Sequence, residues 1–360
     1  MPDRRLRIAV IASSSYPITQ PFAGGLEAHV WHLTRALSSA GHQVTLFAGP
    51  GSDEGPDTDM LHTNIFEPSH AARADVSMPP EQVLREHHAY LSLMVDLAAH
   101  PERFDVIHNH SLHHLPVAMA DAVATPMVTT LHTPPTPWLE SAMTIADQTR
   151  CVAVSQHTAD AWSHILDAVP VIHNGVQVRD WAPGPGGEDA VWFGRLVPEK
   201  GVHLAIDAAR RADIGLRIAG PISDLSYYAD RVEPFLDERI RYVGHLDHHK
   251  LADLVGRSSV TLVSPVWDEP YGLVVAESLS CGTPVASFRR GGIPEIVGTQ
   301  AGILVAPDDV DELAKAAIDA QRFDRKAVRD HAERHCSEEV MIEKYQDLYA
   351  ELVQDEALRA

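Results

Sequence analysis

The chain has 360 residues, 45% of them hydrophobic, and a formal net charge of −21. That length exceeds one ordinary core and suits two domains. The acidic balance, with lysine only at Lys200, Lys250, Lys315, Lys326 and Lys344, argues against binding to a nucleic-acid backbone or docking on a membrane through a polybasic patch.

The elements follow in chain order. Arg7–Ala12 is predicted to be a short buried strand, Leu26–Ala40 a helix and Gln43–Ala48 a second strand. Gly49–Pro80, rich in Asp, Pro, Gly and His, is the least regular stretch and is expected to form a flexible loop at a cleft. Pro80–Ala99 reads as a helix. Asp105–His108, Pro126–Leu131 and Arg150–Ser155 read as strands, Gln156–Leu166 as a helix and Val169–Ile172 as a strand. Short apolar runs alternating with amphipathic stretches are the βαβ signature of a parallel sheet covered on both faces.

Trp181-Ala-Pro-Gly-Pro-Gly-Gly187 then breaks the pattern and marks a linker over 176–189. Strands are expected again at Ala190–Gly194, Leu216–Gly220, Ile240–Val243, Val260–Leu262, Pro284–Ser287 and Gly302–Val305. Helices are expected at Gly201–Arg211, His249–Ser258, Gly272–Cys281 and Val310–Gln321. A final helical stretch, Glu338–Leu358, places Val340, Met341, Tyr345, Leu348, Tyr349 and Leu352 on one face. The expected division is 1–175, the linker, 190–336, and a terminal helix over 337–360. Both halves are doubly wound α/β units, whose ligands sit beyond the carboxyl ends of the strands.

No apolar run reaches the roughly 18 residues of a membrane span, and the first residues lack the apolar core of a signal peptide. The expected location is the cytoplasm. Cys151, Cys281 and Cys336 show no CxxC spacing, so buried free thiols are expected.

Several segments carry chemistry. Gly24-Gly25-Leu-Glu27-Ala-His29 opens a helix, where bare backbone and free N–H groups can meet a phosphate. It is not GxGxxG, so the dinucleotide fingerprint is not supported and an NAD-dependent dehydrogenase is disfavoured. Gly194-Arg195…Lys200-Gly201 sets two cations at a strand end, suited to a diphosphate and equally to a solvated surface pair. Glu269-Pro-Tyr-Gly272-Leu273-Val274-Val-Ala-Glu277 puts one carboxylate in a loop and a second inside an apolar helix. There the second is costly without a partner such as a ribose hydroxyl. The helix start at Gly272–Val274 offers further N–H donors. His132-Thr133 ends a strand and is followed by a proline-stiffened loop. His108-Asn-His110-Ser-Leu-His113-His114 invites a metal, but no partner cluster stands out in the sequence, so none is expected. His110 is kept as an additional cleft residue. Asp57-Thr58-Asp59 has the form of a metal–diphosphate clamp and is read as solvated.

Taken together, these segments resemble the family 4 glycosyltransferases, whose GT-B fold faces two Rossmann-like domains across a cleft. Asn174-Gly175-Val176, Tyr242-Val-Gly-His-Leu246 and Gly282-Thr283-Pro284-Val285 complete the match, in family order from residue 7 to about residue 306. The resemblance implies a sugar transfer from a nucleotide-sugar donor, a UDP-sugar favoured over GDP-, ADP- or TDP-sugars. Retention of configuration is implied, without a required cofactor. It places Gly24, Gly25, Arg195 and Lys200 at the diphosphate and the backbone of His245–Leu246 at the base. Glu269 with Gly272, Leu273 and Val274 falls at the sugar and phosphate, Glu277 at the ribose, and His132 and Thr133 beside the sugar. The last helix is implied to cross back onto the N-terminal domain. The loop Ser13–Ala23 is implied to help bind the acceptor. It identifies none; the missing basic patch argues against a phospholipid acceptor, and a soluble sugar, cyclitol or natural-product aglycone is expected at least as much. The same fold also serves nucleotide-sugar epimerases and hydrolases, the alternative reading. Oligomeric state is not legible.

Overall fold

The computed structural model describes residues 5–53, 58–60, 66–146 and 150–359. They build two six-stranded sheets, all of whose strand pairs are parallel. The first holds β1 (Arg7–Ile11), β2 (Gln43–Ala48), β3 (Thr58–Met60), β4 (Val106–Asn109), β5 (Met127–Leu131) and β6 (Arg150–Ala153), in the order β3-β2-β1-β4-β5-β6. The second holds β7 (Ala190–Phe193), β8 (Leu216–Ala219), β9 (Ile240–Gly244), β10 (Thr261–Val263), β11 (Val285–Phe288) and β12 (Gly302–Val305), in the order β12-β11-β10-β7-β8-β9. Counted from its own first strand, each half has the order 3-2-1-4-5-6 of a dinucleotide-binding sheet. The chain reverses direction across the sheet between β1 and β4 and again between β7 and β10. Those two switch points are where such sheets open a crevice for a ligand.

The strands are legible because both of their faces are covered. In β4 and β5 every residue is buried, as strands covered on both faces require; their polar members pair with one another, His108 with Thr130 and Asn109 with Thr129. The covering helices bury single stripes. Helix Gly25–Ser39 turns Val30, Leu33 and Leu37 inward, and helix Glu81–Ala99 turns Tyr90, Leu93, Met94 and Leu97 inward. The 22-residue helix Glu338–Arg359 buries Met341, Ile342, Tyr345, Leu348, Tyr349 and Leu352 against Ile8 and Val10 of β1 and Leu33 and Leu37 of the first helix. Two of its hydroxyls reach the first sheet. Tyr349 Oη lies 2.6 Å from His108 Nδ1, and Tyr345 Oη lies 3.2 Å from Thr130 Oγ1.

Three expectations are corrected. Val169–Ile172 contributes only a single bridge, Val171 to Ala153, because Pro170 interrupts the run and cannot donate to a ladder. The helix at Gln156 ends at Ala161 rather than Leu166. Gly49–Pro80 is not one irregular loop. It carries β3, paired in register with β2, and a short helix His70–Arg73 started by the Ser69 side chain. None of its described residues lines the cleft. Residues 54–57 and 61–65 lie outside the described residues, as does Asp57 of the Asp57-Thr58-Asp59 run; of Thr58 and Asp59 only the backbone is described.

Candidate active site between the two sheets

The loops that follow β1, β5, β7 and β10 open into one cavity of about 470 Å³ between the halves. From the first half it is lined by the Ser13–Ala23 loop, Gly24, Gly25, His132 and Thr133. From the second it is lined by Arg195 and Lys200, by His245 and Leu246, and by Glu269, Gly272, Leu273, Val274 and Glu277. Every residue that the resemblance assigned to the donor thus lines this cavity. His110, kept as an additional cleft residue, lies behind His132 with its Nδ1 2.9 Å from His132 Nε2, and His108, His113 and His114 of the same run do not line it.

Two helix starts face each other here. Helix Gly25–Ser39 begins at Gly24 and helix Leu273–Ser280 begins at Gly272, and neither has a side-chain cap. Their first N–H groups therefore have no backbone partner within the helix and carry the positive end of the helix dipole, the Glu27 N–H alone being taken by its own carboxylate. The approach is close: a Cβ on Gly25 would stand 3.0 Å from Leu273 Cδ1 of the other half. Gly272 is required by its left-handed backbone, φ 105°, and by Ile293, whose Cγ1 would lie 3.1 Å from a Cβ.

The cations stand beside these starts. Lys200 Nζ is held 2.5 Å from Glu269 Oε1, which also accepts from Trp267 Nε1 at 3.0 Å. Gly201 follows in a left-handed conformation, and a Cβ there would strike Ser264 O at 1.9 Å. The loop after β7 is thereby pressed against the end of β10, which brings Lys200 to Glu269. Among the described residues the Arg195 side chain pairs with Glu199 alone, at 3.8 Å; it is about one-third exposed and lines the cavity.

The carboxylates differ. Glu277 is half-buried and makes no hydrogen bond or ion pair among the described residues. Desolvation pushes its carboxyl up to about 8. Glu27, three residues after Gly24, is buried and lines the same cavity. Burial raises it, while its own backbone N–H and the charge of Arg195 across the cleft partly oppose that rise.

Behind His132 three imidazoles converge. One ring nitrogen each of His29, His110 and His132 lies within 4.8 Å of the others. Desolvation, with mutual repulsion among His29, His110 and their neighbours, drives these rings far below the ordinary histidine value, His132 to about 3. All three are neutral at pH 7. The spacing is that of a metal site, and the sequence reading had found no such partners. The hydrogen bond between His110 and His132 limits it, however. If His110 Nε2 held a cation, Nδ1 would carry the proton given to His132 Nε2. His132 would then be protonated on Nδ1 and have no lone pair to offer. While that hydrogen bond is kept the pair supplies one ligand; a cation held between His110 Nδ1 and His132 Nε2 would have to displace the proton they share. A second, half-buried triangle, His87, His113 and His114, meets a similar obstacle, because His113 Nδ1 already accepts from Leu115 N–H at 3.2 Å.

Glu27, in the Gly24–His29 segment, and Tyr16 and Phe22, in the Ser13–Ala23 loop, also line the cavity. Asn174 Oδ1, Thr133 Oγ1 and His248 Nε2 are buried along its wall without a hydrogen-bond partner among the described residues. Sequence reasoning gave Asn174 no role at the site and missed His248. Asn174 carried a signal, standing in a recognised motif. His248 did not, because a histidine at a helix start has no pattern of its own.

Comparison with known proteins agrees with this geometry. The family model "Glycosyltransferase Family 4" matches residues 23–180, and "Glycosyl transferases group 1" matches residues 179–332. The chain is 29% identical to glycogen synthase of Mycobacterium tuberculosis, over 86% of this chain and 85% of that protein. Its fold is similar to sucrose-phosphate synthase of Thermosynechococcus elongatus (TM-score 0.74, 21% identity, 98% of this chain and 100% of that one). It is similar also to Anabaena HepE in complex with UDP-glucose (TM-score 0.73, 16% identity, 98% and 100%). With two parallel α/β sheets facing one cleft, the chain belongs to the family 4 type of glycosyltransferases and has the GT-B fold.

Proposed function

We propose that this glycosyltransferase moves a sugar from a nucleoside diphosphate sugar, with a UDP-sugar as the favoured donor, to a small soluble or natural-product acceptor with retention of configuration. The observation that carries this reading is the convergence of two uncapped helix starts, one from each half, with Arg195 and Lys200 on a single cavity. That is a site for a diphosphate whose negative charge grows as it leaves. The UDP-glucose complex of the similar HepE supports the choice of donor.

In this reading Gly24, Gly25, Arg195 and Lys200 neutralise the diphosphate. The backbone of His245–Leu246 meets the base, and Glu277 accepts from the ribose hydroxyls. Glu269, fixed by Lys200 and Trp267, joins Gly272–Val274 at the sugar, with His132 and Thr133 opposite. The bond between the anomeric carbon and the phosphate oxygen breaks. The acceptor oxygen bonds to that carbon on the same face, and its proton passes to the departing phosphate. No metal has a step. Residues 1–175 form the acceptor domain and 190–336 the donor domain, with 176–189 linking them and 337–360 returning to the first. No described helix is long and apolar enough to cross a membrane, and the reading sets the reaction in the cytoplasm. A glycosyltransferase match favours transfer over epimerisation or hydrolysis.

The test is nucleotide release from UDP-, GDP-, ADP- and TDP-sugars with and without acceptors, the product anomer read by NMR. Lys200→Ala is expected to lose roughly 10²–10³-fold in turnover while its melting temperature stays within a few degrees. Near-normal turnover in that folded variant overturns the site assignment.

A further inference from the structure

The histidine triangle holds more information than its spacing. His110, fully buried, has its Nδ1 2.9 Å from Nε2 of the half-buried His132. Between two neutral imidazoles one nitrogen must carry the proton and the other must accept it. Two arrangements satisfy that bond, and they leave different debts.

In the first, His132 gives its Nε2 proton to His110 Nδ1. His110 must then carry its own proton on Nε2. That atom is buried with no partner among the described residues, so the arrangement seals an orphaned N–H donor. In the second, His110 gives its Nδ1 proton to His132 Nε2, and the orphan on His110 Nε2 is a bare lone pair. Orphaned buried N–H groups are the rarer case in folded proteins, and unsatisfied acceptors the more tolerated one. His29 does not decide between the two: both of its ring nitrogens are buried without a hydrogen-bond partner among the described residues.

His132 lines the cavity. Its Nε2 is turned to His110. His29 Nδ1 and Nε2 and His110 Nε2 are the sealed orphans of the triangle, so His132 Nδ1 is the nitrogen left for the cavity. We infer that His110 sets the tautomer of His132, so that His132 presents a neutral Nδ1–H donor, and not a base, to the bound sugar. His110 is thus a positioning residue acting through His132. His29 closes the far side of the triangle. The ligand is an oxygen of the sugar, hydroxyl or ring, which accepts that proton without taking it. The identity of that oxygen's owner rests on the transferase reading; the tautomer does not.

The experiment is long-range proton–nitrogen NMR on protein labelled at histidine, with the His132 signals assigned by their loss in His132→Gln. The wild type is expected to show Nδ1 protonated and Nε2 bare. His110→Ala is expected to lose that preference. With UDP-glucose as donor, its kcat is expected to fall by tenfold or more while the donor Kd stays within about twofold. His110→Asn, whose amide keeps a donor near His132, is expected to recover most of both signals. A wild-type His132 protonated on Nε2 overturns the inference even if no variant folds. So does a folded His110→Ala with an unchanged tautomer and unchanged kcat. If the wild type turns over no nucleotide sugar, the proposed function fails and the NMR result still decides the tautomer.

Discussion

Glu277 enters the cavity from a helix whose neighbouring positions Val275, Ala276 and Leu279 are fully buried. Burial raises its pKa to about 8, so the free protein holds this carboxyl protonated at pH 7. Two ribose hydroxyls donating to it would favour the ionised form and lower that value. Binding UDP-glucose at pH 7 is therefore expected to release a proton, and Glu277→Gln to release none. Calorimetry in buffers of different ionisation heat reads this directly; equal release in both proteins would remove Glu277 from the ribose. The same shift has a sign in stability. The folded protein binds the Glu277 proton more tightly than the unfolded chain, whose value is near 4.5. This contribution is present below about pH 4.5 and is lost as pH rises through about 8. The Glu269–Glu277 spacing was legible because both residues share one loop and helix. The His29, His110 and His132 triangle was not, because its members come from a helix and two strand ends, which only the β1-β4-β5 strand order brings together.

At the scale of elements, glycine and proline made the site segments legible, since each marks a place where the backbone must turn or end. β3 left no such mark: three residues on a sheet edge are fixed by pairing with β2, which no local pattern records. The two helix starts give a sharper test of the site. Gly272 and Gly41 both have left-handed backbones, φ 105° and 95°. A Cβ on Gly41 meets nothing within 4 Å, whereas one on Gly272 presses on Ile293. Alanine at either position costs about 1–2 kcal/mol in backbone strain, and Gly272→Ala also displaces the start of helix Leu273–Ser280. Both variants are expected to melt earlier, and only Gly272→Ala to bind UDP-glucose at least tenfold more weakly. Equal donor affinity in the two would show that this helix start does not hold the donor.

The whole molecule depends on how its halves are held, and one residue outside the cavity spans them. Glu295, on the short helix Ile293–Ile296 of the second half, accepts from the N–H groups of Gln156 at 2.8 Å and His157 at 3.0 Å. These are the first donors of helix Gln156–Ala161 in the first half, so a carboxylate of one half caps a helix of the other. His173 Nε2 joins the same carboxylate at 2.8 Å, and Ser155 Oγ donates to Pro270 O beside it at 2.5 Å. Burial alone would raise the Glu295 carboxyl. The hydrogen bonds from His173 and the two N–H groups outweigh that and leave it below its ordinary value. The sign follows: this stabilisation is present above the unfolded carboxylate value and is lost as pH falls through the folded one. Pro270, next to Glu269 and two residues before Gly272, couples the latch to the donor side of the cleft. Glu295→Ala is expected to cost about 1–3 kcal/mol, to enlarge the radius of gyration of the unliganded protein in solution scattering, and to weaken UDP-glucose binding. It does so without removing any cavity-lining residue. A variant with lowered melting temperature but unchanged scattering and unchanged donor affinity would make Glu295 a local cap only, and leave the relative placement of the halves to the terminal helix Glu338–Arg359 and its buried tyrosines.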